Sequence, residues 1–298
     1  MKILVIGGTG TTGSQLVKEL LARKADVRVM SRSPEKIKSL PAGVEGVVGD
    51  LDVKSTLPNA FKGIDRAFLL TPLSQTEMQE GLNAVEAAKA AGVKRIVYMS
   101  VHLLEQIPEA PHFAGKIPIE NAIKSSGIPY TLIRPNNFYQ NENWFQQAIM
   151  EYGIYPQPMG GKGLSRVDVR DIAEAAANAL LNDDFTGKTF SLVGPDIHTS
   201  ESTTRILTKH FGKEIKYGGD DLNAWSEQAK KMLPGWMVDD FRVMYQSFQT
   251  KGFIASPQDL AETERIVGKK PRSYGSYAAE LASAWKQAAQ VGLQEKSR

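Results

Sequence analysis

The residues whose spacing carries the most chemistry open the chain: Gly7-Gly8-Thr9-Gly10-Thr11-Thr12-Gly13. A diphosphate that docks on a backbone needs a path free of side chains and unpaired N–H groups to bind its oxygens. The first turn of a helix supplies such groups, together with the positive end of its dipole. The string follows the apolar run Ile3–Ile6 and precedes Leu16, Val17, Leu20 and Leu21 at helical spacing, so it joins a strand to a helix. In that setting Gly7, Thr9, Gly10, Thr11, Thr12 and Gly13 are candidates to cradle a dinucleotide, and Gly13 lets the helix pack close to the sheet. The spacing G-x-x-G-x-x-G is looser than the G-x-G-x-x-G fingerprint; outside its strand–turn–helix context it would mark only a tight turn.

Further candidates follow the next apolar runs. Arg32, with Lys36 four residues on, stands where a carboxylate would accept from the ribose 2′-hydroxyl of NAD. A guanidinium there pairs instead with a 2′-phosphate, which favours NADP(H); the alternative is an exposed arginine beside a loop. Gly49-Asp50-Leu51 follows the third run. Asp50 can accept from the adenine amine, with Leu51 against the ring, or it caps the next helix. Leu70-Thr71-Pro72 and Ser100 close the fourth and fifth runs, at the strand ends where ligands bind in open α/β sheets.

The elements that must position these residues alternate. Strands are expected at Ile3–Ile6, Val27–Met30, Val44–Val48, Ala67–Leu70, Ile96–Met99 and Tyr130–Ile133, with helical segments between them. Strand, helix, strand at this spacing means parallel crossovers and a doubly wound Rossmann sheet of the α/β class. After about residue 150, Gly153, Pro156, Pro158, Gly160, Gly161 and Gly163 interrupt the pattern. Arg166–Val169 and Thr189–Val193 read as two more strands, with a helix over Asp171–Leu181 between them. Helices are expected to start near Ser200 and at Ser256-Pro257, with a last one over Tyr277–Trp285 and a frayed end at Gln294–Arg298. The expected division is residues 1–150, with 166–194 returning, for the dinucleotide domain. Residues 151–165 and 195–298 form a smaller, mostly helical C-terminal substrate or partner domain.

Composition narrows the classes. The 298 residues are 42 % apolar and 23 % charged, as in soluble globular proteins. The absence of cysteine rules out disulfides, thiolate metal sites and a cysteine nucleophile, and four scattered histidines make a metal site improbable. The net charge is +3, and the densest basic stretch, Lys269, Lys270 and Arg272, reads as a solvated loop, so no nucleic-acid partner is expected. No run approaches the ~20 apolar residues of a membrane span, and the opening run is too short for a secretion signal. A cytoplasmic protein without a membrane partner is expected, with a homodimer as the default assembly.

These residues resemble an atypical short-chain dehydrogenase/reductase. His112-Phe113-Ala114-Gly115-Lys116, the stretch Ile128–Arg134 and Asn137-Phe138-Tyr139-Gln140-Asn141 narrow the resemblance to the NmrA-like family. That family includes NADPH-dependent reductases of quinones and triphenylmethane dyes, and proteins that bind NADP(H) and report redox state to a partner. The resemblance implies that Lys116 holds the nicotinamide ribose, that Asn137 and Phe138 flank the nicotinamide, and that Thr71 and Pro72 lie beside the cofactor. It also implies that Val167–Asp171 returns to the sheet with Asp171 as a helix cap. The wider superfamily carries Tyr-x-x-x-Lys, whereas four residues before Lys116 stands His112. If one helix spans both, His112 is a candidate proton donor; otherwise it is a structural or solvated residue. Pro111 and Pro118 leave open whether the helix begins only near Ile117.

Two readings follow. One is an NADPH-dependent oxidoreductase passing hydride to a conjugated acceptor such as a quinone, dye or carbonyl compound, held between the domains, which needs little acid assistance. Phe138, Tyr139, Trp144 and Phe145 would then stack on a flat small-molecule substrate or simply pack the interior. The other is an NADP(H)-binding redox sensor with a regulatory protein partner and little catalysis, which the missing Tyr favours. A nucleotide-sugar epimerase fits poorly, since it needs that Tyr and NAD.

Overall fold

The first apolar run is a strand covered on both sides: in β1 (Lys2–Ile6), Ile3, Leu4 and Val5 have no exposed surface. In this computed structural model, which describes residues 1–296, the chain continues through α1 (Thr11–Ala22), β2 (Asp26–Ser31), α2 (Pro34–Lys38), β3 (Val44–Val48) and α3 (Leu57–Phe61). It goes on through β4 (Arg66–Leu69), α4 (Glu77–Ala90), β5 (Arg95–Met99), α5 (Pro111–Ala114), α6 (Lys116–Ser125) and β6 (Tyr130–Pro135). Then follow α7 (Gln146–Met150), β7 (Ile154–Tyr155), α8 (Val169–Leu181), β8 (Lys188–Leu192), α9 (Ser200–Phe211) and β9 (Lys216–Tyr217). The order ends with α10 (Leu222–Ala229), α11 (Gly235–Lys251), α12 (Pro257–Val267) and α13 (Tyr274–Lys296).

Seven strands form one parallel sheet in the order β3-β2-β1-β4-β5-β6-β8. The direction reverses between β1 and β4, the switch point at which ligands sit at the carboxyl ends of strands in such sheets. On one face α3, α4 and α6 close a core around Phe61, Tyr98, Ile119 and Leu132. On the other, α1 lies against α8, whose Ala173, Ala175, Ala176, Ala177 and Ala179 are fully buried. Short side chains let this helix sit close to its neighbours.

The chain divides into two units. The first holds Met1–Asn136, Val169–Val193 and Ser256–Lys270; the second holds Asn137–Asp168, Gly194–Ala255 and the chain from Pro271 on. The crossing expected at residue 150 therefore falls at the end of β6, and the return begins at Val169 rather than 166. α12, assigned from sequence to the smaller domain, belongs to the sheet: Thr263 Oγ1 donates to Ser191 O (2.9 Å) and accepts from Val193 N (3.0 Å). The strand expected at Arg166–Val169 is a single bridge between Val167 and Phe138. α8 already starts at Val169, which places Asp171 buried in its first turn. The second unit is mostly helical, with β7 and β9 pairing two residues each. The backbone is helical to Lys296; of the end expected to fray, Ser297 and Arg298 lie outside the described residues. Lys269 of the basic stretch pairs with Glu174 at 2.8 Å. Among the described residues no helix is long and apolar enough to cross a membrane, and no acidic or histidine cluster is arranged to hold a metal ion.

At Gly13 a Cβ would stand 2.1 Å from Gly7 O and 2.8 Å from Gly8 Cα. The obstacle is backbone, which cannot rotate away. Gly13→Ala is expected to cost about 1–3 kcal/mol through overpacking, read as a lowered urea midpoint; an unchanged midpoint would contradict this packing.

Candidate nucleotide and hydride-transfer site

The chain leaves β1 at Gly7 with φ 78°, a left-handed conformation open to glycine. Gly10 N donates to Gly7 O at 2.9 Å and closes the turn. Gly10 then stands at the head of α1 in an extended conformation, with no side chain capping the helix and no acidic residue in its first turn. The N–H groups around Thr11, Thr12 and Gly13 and the positive helix end are open to an anion. Thr12 is buried and Thr11 exposed.

In front of this turn lies a cavity of about 430 Å³. Its wall gathers residues from the carboxyl ends of four neighbouring strands: Ile6, Gly7, Thr9 and Gly10 after β1; Met30, Ser31, Arg32, Ser33 and Lys36 after β2; Gly49, Asp50 and Leu51 after β3; Leu70, Thr71 and Pro72 after β4. Glu80 of α4 joins them. Arg32 and Lys36 are exposed and, among the described residues, make no ion pair. The Ser33 hydroxyl caps α2 by accepting from Lys36 N at 3.2 Å. Asp50 does not cap a following helix. Its Oδ1 accepts from Asp52 N at 3.1 Å in a local turn, and the Thr56 hydroxyl braces its backbone. Leu51 is 4 % exposed and sits in the wall as an apolar surface.

Beside the cavity is a buried polar cluster. The Thr71 hydroxyl donates to Glu77 Oε1 at 2.7 Å, and the Lys116 ammonium pairs with the same oxygen. Tyr98 of β5 stands near Lys116; burial pushes its phenol up to about 12, with the Lys116 charge working against that shift. Burial opposes the Lys116 charge, but Tyr98, Glu77 and Glu120 outweigh it and hold the ammonium above the ordinary lysine range. Glu120 in turn takes a bidentate pair from Arg134 at 2.9 and 2.7 Å.

His112 lies in α5 and Lys116 opens α6. The break falls at Gly115 because Pro118 has no N–H to give to Ala114 O. Gly115 itself keeps helical angles and donates to Pro111 O at 2.8 Å. The helical path is therefore continuous enough to put His112 and Lys116 on one face. The half-buried His112 ring meets Phe113 edge-on at 4.7 Å.

Asn137 and Phe138 open the second unit. Val167 N donates to Asn137 O and Tyr139 N to Val167 O, both at 2.9 Å. The fully buried Arg166 holds the same segment through Asn137 Oδ1 (3.0 Å) and Phe138 O (2.7 Å). Its guanidinium makes a bidentate pair with Glu142, both bonds 2.7 Å, and lies over the Tyr274 ring. Tyr274, kept neutral by burial, also donates to Glu142 at 2.6 Å, while the neutral Tyr155 gives its proton to Gln157 Oε1 at 2.7 Å. The aromatic group does not form one wall: Tyr139 is fully buried against Tyr274 and Tyr277, Phe145 leans on Tyr155, and Trp144 is 59 % exposed.

Glu77, Glu80, Glu142 and Arg166 were not legible as site residues. Each is an ordinary charged residue on a helix or loop. Glu80 bonds to nearby Ser74 and Thr76, and the ion-pair partners of the others are distant in sequence. The one available signal was the placement of Glu77 and Glu80 just past Thr71-Pro72, in the first turn of a helix at the ligand edge.

The chain belongs to the NmrA-like family, whose model matches residues 1–277. It is 31 % identical over 291 residues to an NAD(P)H azoreductase of Xenophilus azovorans, covering 95 % of this chain and 99 % of the relative. It is 29 % identical over 285 residues to the (4-alkanoyl-5-oxo-2,5-dihydrofuran-3-yl)methyl phosphate reductase of Streptomyces griseus, covering 95 % and 99 %. Its fold matches that of an NADPH-dependent quinone oxidoreductase from Escherichia coli complexed with NADPH, with TM-score 0.84, 24 % identity, and 94 % and 99 % coverage.

His198, 5 % exposed and 5.0 Å from the Tyr274 ring, is pushed down to about 4 by burial and by the Arg166 charge. Between that value and the ordinary ~6.5 the unfolded chain binds a proton that the native one refuses, so stability falls as pH drops through this window. The loss from this group is expected to reach about 2 kcal/mol at about pH 5. Urea unfolding checks it: His198→Gln should lose that much less than wild type between neutral pH and pH 5, and equal losses would contradict the assignment.

Proposed function

We propose that the chain is an NADPH-dependent oxidoreductase that passes hydride to a conjugated acceptor, of the kind represented by quinones, dyes and carbonyl compounds. The observation that carries the cofactor assignment is the single groove that joins an uncapped helix N-terminus to two unpaired cations, Arg32 and Lys36. The N–H groups of α1 suit the diphosphate. Arg32 and Lys36 suit a 2′-phosphate, Asp50 Oδ2 suits the adenine amine, and Leu51 the adenine ring. Thr71 and Pro72 suit the path toward the nicotinamide end and Lys116 suits its ribose; the family resemblance assigns Asn137 and Phe138 to the nicotinamide ring. The reductase assignment is supported by relatives named for reducing azo and oxo-dihydrofuran compounds.

When bound, NADPH supplies the hydride. The chain's own residues hold donor and acceptor in register, which supplies much of the rate. Lys116 stays cationic and donates to ribose oxygens. His112, one helical turn earlier, is the group we assign to protonating the reduced acceptor when a proton is required.

Arg32→Ala is expected to weaken NADPH binding roughly 10- to 100-fold, the worth of a charge-assisted contact, while NADH binding stays nearly constant. Equal losses for both, by calorimetry, would remove the 2′-phosphate from this position. Lys116→Ala should lower kcat/KM with a quinone or azo dye, followed by loss of NADPH absorbance; unchanged kinetics would exclude it from the site. Tight NADPH binding by wild type, with no turnover on quinones, dyes or enones, would overturn the reductase in favour of a redox sensor.

A further inference from the structure

Glu77 is 4 % exposed, yet it meets two partners from different elements at one carboxylate oxygen: the Thr71 hydroxyl from the β4–α4 loop and the Lys116 ammonium from α6. A carboxylate can only accept. Thr71 has one hydroxyl proton, and the 2.7 Å bond to Glu77 uses it. What Thr71 still offers to a ligand is lone pairs. Lys116 has three N–H donors, of which Glu77 takes one. The two neighbours thus present opposite and fixed polarity: an acceptor at Thr71, donors at Lys116.

We propose that Glu77 is a positioning residue that sets the hydrogen-bond polarity of the nicotinamide-ribose subsite, holding Thr71 as an acceptor for a sugar hydroxyl and Lys116 as a cation that donates to sugar oxygens. This rests on the reading that Lys116 holds that ribose. The group selected is a vicinal diol, which can donate through one hydroxyl and accept through another. A second consequence concerns charge. The titratable neighbours of Lys116 are Glu77 on α4, Tyr98 on β5 and Glu120 on its own helix. Glu120 is already engaged by Arg134 and Lys124, and the Tyr98 phenol is neutral across the working range. Glu77 is the carboxylate paired directly with the buried ammonium, and without it burial is opposed less and the balance moves toward the neutral amine.

The test uses Glu77→Gln, which keeps shape and removes charge. In wild type the KM for NADPH is expected to stay flat from about pH 7 to about pH 9.5, below the lysine range. In the variant it should rise about tenfold across the same window. The Cε carbon resonance of Lys116, read without turnover, should titrate at least about one pH unit lower in the variant. Thr71→Val keeps the ion pair, so it should raise KM several-fold at every pH with no new slope. A folded Glu77→Gln with the wild-type profile and an unshifted Lys116 resonance overturns the proposal alone. A wild-type chain that binds no NADPH overturns the proposal together with the reading it rests on.

Discussion

A single methyl group at position 13 would stand 2.1 Å from the carbonyl of Gly7. That closeness is the constraint on which the site depends. It draws the first turn of α1 against the end of β1 with no side chain between them, and it leaves the turn's N–H groups facing outward without a cap. The helix forgoes a side-chain cap there, typically worth about 1 kcal/mol, which fits the anion-binding role proposed for this end. The sheet order supplies the rest. Because β1 and β4 flank the switch point, the loops after β1, β2, β3 and β4 converge on one groove, and residues from 7 to 72 in sequence share one wall.

Much of this was legible before the fold was known. Apolar runs located every strand of the large sheet: the inner strands because cover on both faces favours continuous apolar residues, and the edge strands β3 and β8 through the shorter apolar stretches that they keep. The Gly7–Gly13 string, Arg32 and Asp50 were legible because each follows such a run directly, and a parallel sheet carries all such positions to one edge. What was not legible depends on contacts between distant segments. α12 looks like any amphipathic helix, and only the bonds of Thr263 to β8 show that it belongs to the sheet unit. Asp50 was placed as a possible cap, but a turn to Asp52 uses it first. Pro111 and Pro118 left the reach of the helix open, and Gly115 proves able to keep helical angles between them.

Two buried ion pairs stand at the residues tied by family resemblance to the nicotinamide. In the first unit Glu77 joins Lys116, and in the second Arg166 joins Glu142 while holding Asn137 and Phe138. Buried pairs contribute little net stability, because desolvation offsets most of the attraction, but they tolerate few alternative geometries. Their value here is orientation: one fixes a cation and a hydroxyl, the other the course of a backbone segment. The neutral Tyr274 hydroxyl adds a third donor to Glu142 beside the two from Arg166.

The most direct measurement is a crystal structure of the chain grown with NADP⁺. The account predicts the diphosphate against the backbone amides of Thr11 and Thr12, and the 2′-phosphate in ion-pair contact with Arg32. A dinucleotide bound with its diphosphate away from the head of α1, or with its 2′-phosphate clear of Arg32 in open solvent, would contradict it.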